Sequence, residues 1–197
     1  MVKLLLKIKM FAFISIFLIL IPSKLFSGRV VGYYPSWVQN QFTIDQIDFS
    51  IFTHIIHSFA WPNNQGDLLS DNGTFNINFS DEVHSQGGKF LLALGGWGAA
   101  DAFAEATSTA ELRSYFISNI IDKVSSYGYD GIDIDWEYPQ NNNQTNNLNL
   151  FIMELDSVLN ELNPHLLLTM AVPVSNWAGQ WYDFETLNQF IDFFNAM

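Results

Sequence analysis

The eight residues Asp130-Gly-Ile-Asp-Ile-Asp-Trp-Glu137 place four carboxylates at fixed spacing near the middle of the chain. Read as a strand, the stretch alternates with period two. Asp133, Asp135 and Glu137 then share one face, and Ile132, Ile134 and Trp136 share the other. Same-face neighbours rise by about 6.6 Å, so the carboxylates form a short ladder. In a strand covered on both faces they cannot all ionise comfortably, and at least one holds a proton near neutrality. A protonated carboxylic acid beside an ionised one is what acid-catalysed glycosidic cleavage needs.

Other uses of the ladder fit less well. A solvated acidic strand leaves Ile132, Ile134 and Trp136 needing a core on their side only. An EF-hand loop starting at Asp133 requires Gly at its sixth position and Glu at its twelfth, where the chain has Tyr138 and Gln144. A magnesium or manganese site built from two of the carboxylates stays open, although no basic or Gly-rich phosphate cradle accompanies it. His54, His57, His84 and His165 show no metal spacing.

The elements that must position the ladder follow in order. Arg29–Tyr34 reads as a first strand stopped by Pro35, and His54–Ala60 as a second. Residues 62–88 carry mostly loop signals, with a brief helix over Asp81–Gln86. Lys89–Gly96 is nearly continuous in apolar residues, as suits a parallel strand buried on both faces. A capping box at Ser108–Glu111 opens a helix marked by Leu112, Phe116, Ile120 and Val124, and Gly128 stops it. After the acidic strand comes an Asn-rich loop, then a helix through Leu148, Phe151, Ile152, Leu155, Leu159 and Leu162 that ends at Pro164. Leu166–Val172 is a fifth strand, Asp183–Phe190 a short helix, and Phe193–Met197 the start of a sixth strand. This alternation predicts a parallel α/β sheet, either a (β/α)8 barrel or an open doubly wound sheet. No Gly-rich turn follows the first strand, which argues against a nucleotide-binding open sheet. Aromatics sit where strands end: Tyr33, Tyr34, Trp37, Phe59, Trp61, Trp97, Tyr138, Trp177 and Trp181. Their faces could stack on sugar rings or simply pack the core.

Lys3, Lys7 and Lys9, followed by the apolar run Met10–Ile21, read as a signal peptide over residues 1–27 with cleavage before Gly28. Residues 28–197 are then one domain, exported and left in the extracellular space rather than held on a membrane. Four of the eight basic residues and none of the 20 acidic ones lie in that leader. Four basic against 20 acidic residues leave a net charge of −16, which repels nucleic acid and anionic membrane and suits a neutral substrate. With no Cys, the chain has neither disulfides nor a thiol nucleophile. Sequons begin at Asn72, Asn78 and Asn143.

Residues 130–139, ending Trp-Glu-Tyr-Pro, closely resemble the catalytic signature of family 18 glycoside hydrolases, the chitinases and their relatives. The resemblance runs along nearly the whole chain after residue 28 and points to the barrel, a TIM barrel truncated after the start of strand six and therefore of little activity by itself. It implies that Glu137 protonates the glycosidic oxygen, that Asp135 holds the substrate's N-acetyl group, and that Asp133 shares a proton with Asp135. Asp130 takes a structural role. It further implies retention of configuration through attack by the substrate's own acetamide. The residues by themselves leave a two-carboxylate mechanism open. Gly95-Gly96-Trp97 resembles the family's third-strand motif, with Ala93 where a Ser is frequent. Tyr34, Phe59, Gly96, Trp97 and Tyr138 are the candidate sugar contacts. No metal and no cofactor are implied, and the partner is chitin or an N-acetylglucosamine oligosaccharide bound by a monomer. An endo-β-N-acetylglucosaminidase acting on N-glycans and an inactive chitin-binding lectin are the alternatives. The Trp-Glu-Tyr-Pro ending favours the chitinase, and the retained Glu137 counts against the lectin.

Overall fold

The computed structural model describes residues 28–71 and 73–197. The expected signal peptide and the sequon at Asn72 lie outside the described residues. Six parallel strands are ordered β1 (Val31–Pro35), β2 (His54–Pro62), β4 (Lys89–Gly95), β5 (Gly131–Asp135), β6 (Leu167–Val172) and β7 (Phe193–Ala196) across one sheet. A short β3 (Leu68–Ser70) folds back antiparallel onto the end of β2, pairing Ala60 with Ser70 and Trp61 with Leu69. The helices are α1 (Ile77–Ser85), α2 (Ala100–Ala106), α3 (Ala110–Tyr127), α4 (Asn142–Leu162), α5 (Asn176–Gly179) and α6 (Phe184–Leu187).

Side-chain contacts across the sheet decide between barrel and open sheet. Neighbouring strands lie about 4.8 Å apart, so in a flat sheet β1 and β7 would be separated by roughly 24 Å. Yet the Arg29 guanidinium, just ahead of β1, sits 3.8 Å from the centroid of the Phe193 ring on β7. Phe193 also meets His54 of β2 edge-on at 5.5 Å. The sheet has therefore curled until both edges reach over one interior, as in a (β/α)8 barrel of which six strands are present.

Alternation along each strand divides two apolar layers. On β4, Phe90, Leu92 and Leu94 join the large core beneath the helices, while Leu91 and Ala93 face inward with Ile56. On β5, Ile132 and Ile134 take the helix side with Trp136, and Asp133 and Asp135 take the interior. Trp136 stacks on Phe103 of α2 at 5.4 Å, Phe103 meets Phe116 of α3 edge-on, and Phe116 stacks on Phe151 of α4 at 5.2 Å. This aromatic chain couples the acidic strand to three helices. Phe103→Ala is expected to cost about 3–5 kcal/mol, measured by urea unfolding. A loss below about 1 kcal/mol would show that the chain of rings does not hold β5.

Several boundaries differ from the sequence expectation. The acidic strand ends at Asp135 rather than Glu137. The cap of α3 is Thr109, whose hydroxyl accepts the Leu112 N–H at 3.2 Å, one residue beyond the expected Ser108. The Asn-rich stretch is helical, not a loop, because the Asn141 side chain accepts the Gln144 N–H at 3.0 Å and starts α4 there. The helix expected at Asp81–Gln86 begins earlier, at Ile77, capped by Asn76. The sequence reading missed β3, α2 and α5.

Candidate active site

The close approach of β4 to β5 shapes the floor of the site. Gly95 has φ +122°, and a Cβ there would lie 2.1 Å from the Asp135 carbonyl oxygen. The next residue, Gly96, donates its N–H to that same oxygen at 2.8 Å. Only glycine lets the end of β4 seat against Asp135 in this way.

Asp133 lies fully buried on β5 and is held by three other strands. Tyr33 of β1 donates its hydroxyl to Oδ2 at 2.7 Å, Asn195 of β7 donates Nδ2 to Oδ1 at 2.9 Å, and Thr169 of β6 also donates to Oδ1. Burial pushes the Asp133 carboxyl up, and these donors oppose the rise without cancelling it. Asp135, 3 % exposed, has a buried Oδ1 with no hydrogen-bond partner. Burial first, then the charges of Glu137 and Asp133, push its carboxyl up to about 7. Glu137 stands just past the strand, half-buried in a cleft of about 510 Å³ with Trp97, Tyr138, Trp177 and Trp181. The Tyr182 hydroxyl donates to the Trp136 carbonyl at 2.7 Å and fixes the chain immediately before Glu137.

Asp130 occupies the opposite end of the same segment. It accepts from Lys89 Nζ at 2.7 Å and from the Phe90 N–H at 2.9 Å, and His84 Nε2 lies 2.6 Å away. Burial raises its carboxyl, but these partners outweigh it and leave the group below its ordinary value. It thus ties β5 to β4 and α1, away from the ladder.

A second cleft of about 410 Å³ is lined by Trp37, Phe59, Trp61, Asp71, Gly96 and Trp97, among others. Phe59 stacks on Trp37 at 6.4 Å, and Tyr138 meets Trp177 edge-on at 5.9 Å. Trp97 is 82 % exposed and lines both clefts, so they meet over it. Trp37 and Trp177, also largely exposed, flank the two sides.

Of the expected sugar contacts, Phe59, Gly96, Trp97 and Tyr138 line these clefts and Tyr34 does not. Tyr34 is 3 % exposed, packs in the core beneath the helices and donates its hydroxyl to the Phe42 carbonyl. Strand alternation turns its neighbour Tyr33 inward instead, onto Asp133. The sequence reading gave no role to Thr169 or Asn195, nor to Asp71. A lone polar residue inside an apolar strand, as Thr169 is in Leu-Leu-Thr-Met-Ala-Val, is the signal that marks an inward partner. Among the described residues no group of three or more His, Cys, Asp or Glu could hold a metal ion.

A curled parallel β/α sheet with a carboxylate ladder emerging beside exposed tryptophans defines the class of barrel glycoside hydrolases. Residues 29–197 match the model of the glycosyl hydrolases family 18, and the chain belongs to that family. It is 32% identical to a class V chitinase of Medicago truncatula over 189 residues, covering 86% of this chain and 48% of that one. The structure of a family 18 chitinase from Cycas revoluta in complex with (GlcNAc)4 superposes with a TM-score of 0.77 at 28% identity, covering 85% of this chain and 54% of that one. A chitinase-like agglutinin from Robinia pseudoacacia matches equally, with a TM-score of 0.77 at 28% identity and coverage of 85% and 54%. The chain spans about half the length of these relatives.

Proposed function

We propose that the protein is a secreted hydrolase that cuts β-1,4-linked N-acetylglucosamine polymers internally, with retention of configuration. The observation that carries this reading is the ladder itself: Asp135, raised to about 7, lies between buried Asp133 and the cleft-lining Glu137. At neutral pH the buried pair Asp133 and Asp135 shares one proton. Glu137 in its acid form donates a separate proton, its own, to the glycosidic oxygen as the C–O bond breaks. The acetamide oxygen of the sugar on the other side of the bond attacks the anomeric carbon from the opposite face. Asp135 accepts the acetamide N–H and, ionised, stabilises the positive charge that develops on the ring so formed. Asp133, fixed by Tyr33, Thr169 and Asn195, takes the proton when Asp135 is charged. Water then attacks the anomeric carbon as Glu137 removes its proton, the bond to the acetamide oxygen breaks, and the product keeps its original configuration. Two clefts meeting over Trp97 would let a chain pass on both sides of the scissile bond, as internal cutting requires.

The mechanism needs an N-acetyl group next to the bond that breaks. Fully deacetylated chitosan oligomers are therefore expected to resist cleavage, and the first products from chitin oligomers to be the β-anomer. Proton NMR during early turnover checks both points. Initial α-anomer would remove the substrate-assisted route.

A further inference from the structure

The described residues carry very few cations, and none of these faces the clefts. Residues 28–197 hold four Lys and Arg against 20 acidic residues. Arg29 lies over Phe193, Lys89 is on Asp130, and Arg113 forks onto Glu154 at 2.9 and 2.8 Å. Lys123 stays on the outer surface over the Phe75 and Tyr127 rings. Within the clefts the charged side chains are carboxylates: Glu137 at the ladder and Asp71 on the far side of Trp97.

Asp71 reaches the aromatic cleft because of β3. That strand folds back on the end of β2, opposite Ala60 and Trp61, and delivers the residue after Ser70 to the rim beside Phe59. Its backbone carbonyl accepts from the Thr74 N–H and the Ser70 hydroxyl, while the exposed carboxylate has no partner among the described residues. The Gln39 amide donates to the Gly73 carbonyl and anchors the following turn. A free carboxylate stands, then, on a cleft whose other side chains are mainly aromatic and whose surroundings lack a counter-ion.

We infer that Asp71 binds the ammonium of a glucosamine unit, so that the cleft prefers partially deacetylated chitin over the fully acetylated polymer. The inference rests on the proposed chitin-binding function. An ammonium in this cleft gains the Asp71 carboxylate as counter-ion and the indole faces of Trp37, Trp61 or Trp97 as cation–π partners. The N-acetyl group is still needed beside the scissile bond, which lies at Glu137 on the other side of Trp97. The favoured substrate has an acetylated unit at the ladder and a free amine at a remote one. The net charge of the domain adds a long-range attraction of the same sign.

Tryptophan fluorescence titrations test this on the protein and its Asp71→Asn variant. The probes are acetylated chitotetraose and tetramers carrying a single glucosamine, at about pH 6, where a primary amine is an ammonium. The unaltered protein is expected to bind at least one glucosamine-bearing tetramer about fivefold more tightly at low salt, the range of an exposed ion pair. The preference shrinks at about 0.5 M salt, where the Debye length is below about 5 Å. In the variant it disappears, the glucosamine-bearing tetramers losing affinity relative to acetylated chitotetraose. No preference in the unaltered protein, or a preference that survives in Asp71→Asn, overturns the inference and leaves the proposed function standing. Failure to bind any tetramer overturns both.

Discussion

Glu137→Gln is expected to lower turnover of a fluorogenic chitobioside by about 10²- to 10⁴-fold, the usual contribution of a positioned general acid. Gln has the shape of protonated Glu but no proton to give. Glu137 sits beyond the end of β5, where its backbone is held by the Tyr182–Trp136 hydrogen bond and its side chain faces a cleft edged by Trp97 and Trp181. Removing the acid should leave those aromatic walls in place. Affinity for acetylated chitotetraose, read by tryptophan fluorescence, is therefore expected to change little. The two readouts separate a catalytic group from a folding defect, because a misfolded variant loses both. Turnover within a few-fold of the unaltered protein would remove Glu137 from the acid role.

The period of β5 was legible in the sequence because strand geometry leaves little freedom. Once Ile132 and Ile134 pack beneath helices, Asp133 and Asp135 must face the interior. Glu137 was placed on the same ladder, but the strand ends two residues earlier, so local geometry beyond Asp135 decides where its carboxyl points. Tyr34 shows the limit of naming aromatics by position: a shift of one residue exchanges cleft for core, and nothing in Tyr33-Tyr34 says which is which. Thr169 and Asn195 could not be tied to Asp133 from sequence, because their contacts span 36 and 62 residues and depend on how tightly the sheet curls. Asp71 was hidden for another reason. Residues 62–88 are rich in loop-forming types, and only pairing with β2 turns Leu68–Ser70 into a strand that aims the next residue at a cleft.

Asp135→Asn is expected to stabilise the fold at alkaline pH while it abolishes efficient cleavage. The carboxyl stands at about 7 in the folded chain against an ordinary value of 3.8, because burial, Glu137 and Asp133 all disfavour its charge. Between those values the folded chain binds more protons than the unfolded one, so stability falls as pH rises through the window. The contribution is fully present below about pH 4 and lost above about pH 7. At about 1.36 kcal/mol per unit, the loss is of the order of 4 kcal/mol. Asp133 and Asp135 titrate together, so the transition belongs to the buried pair rather than to one residue. An amide at position 135 carries no charge and can donate to a neighbouring carboxylate, filling the place of the unpartnered Oδ1. Thermal melts at pH 4 and pH 8 are expected to show the unaltered protein losing roughly 10 °C across the interval, with the variant, in which buried Asp133 still titrates, losing less and standing higher at pH 8. Equal melting temperatures at pH 8 would mean that Asp135 ionises without cost, and the shared proton would lose its physical basis. A higher melting point together with lost turnover would identify the strained ladder as stability given up for chemistry.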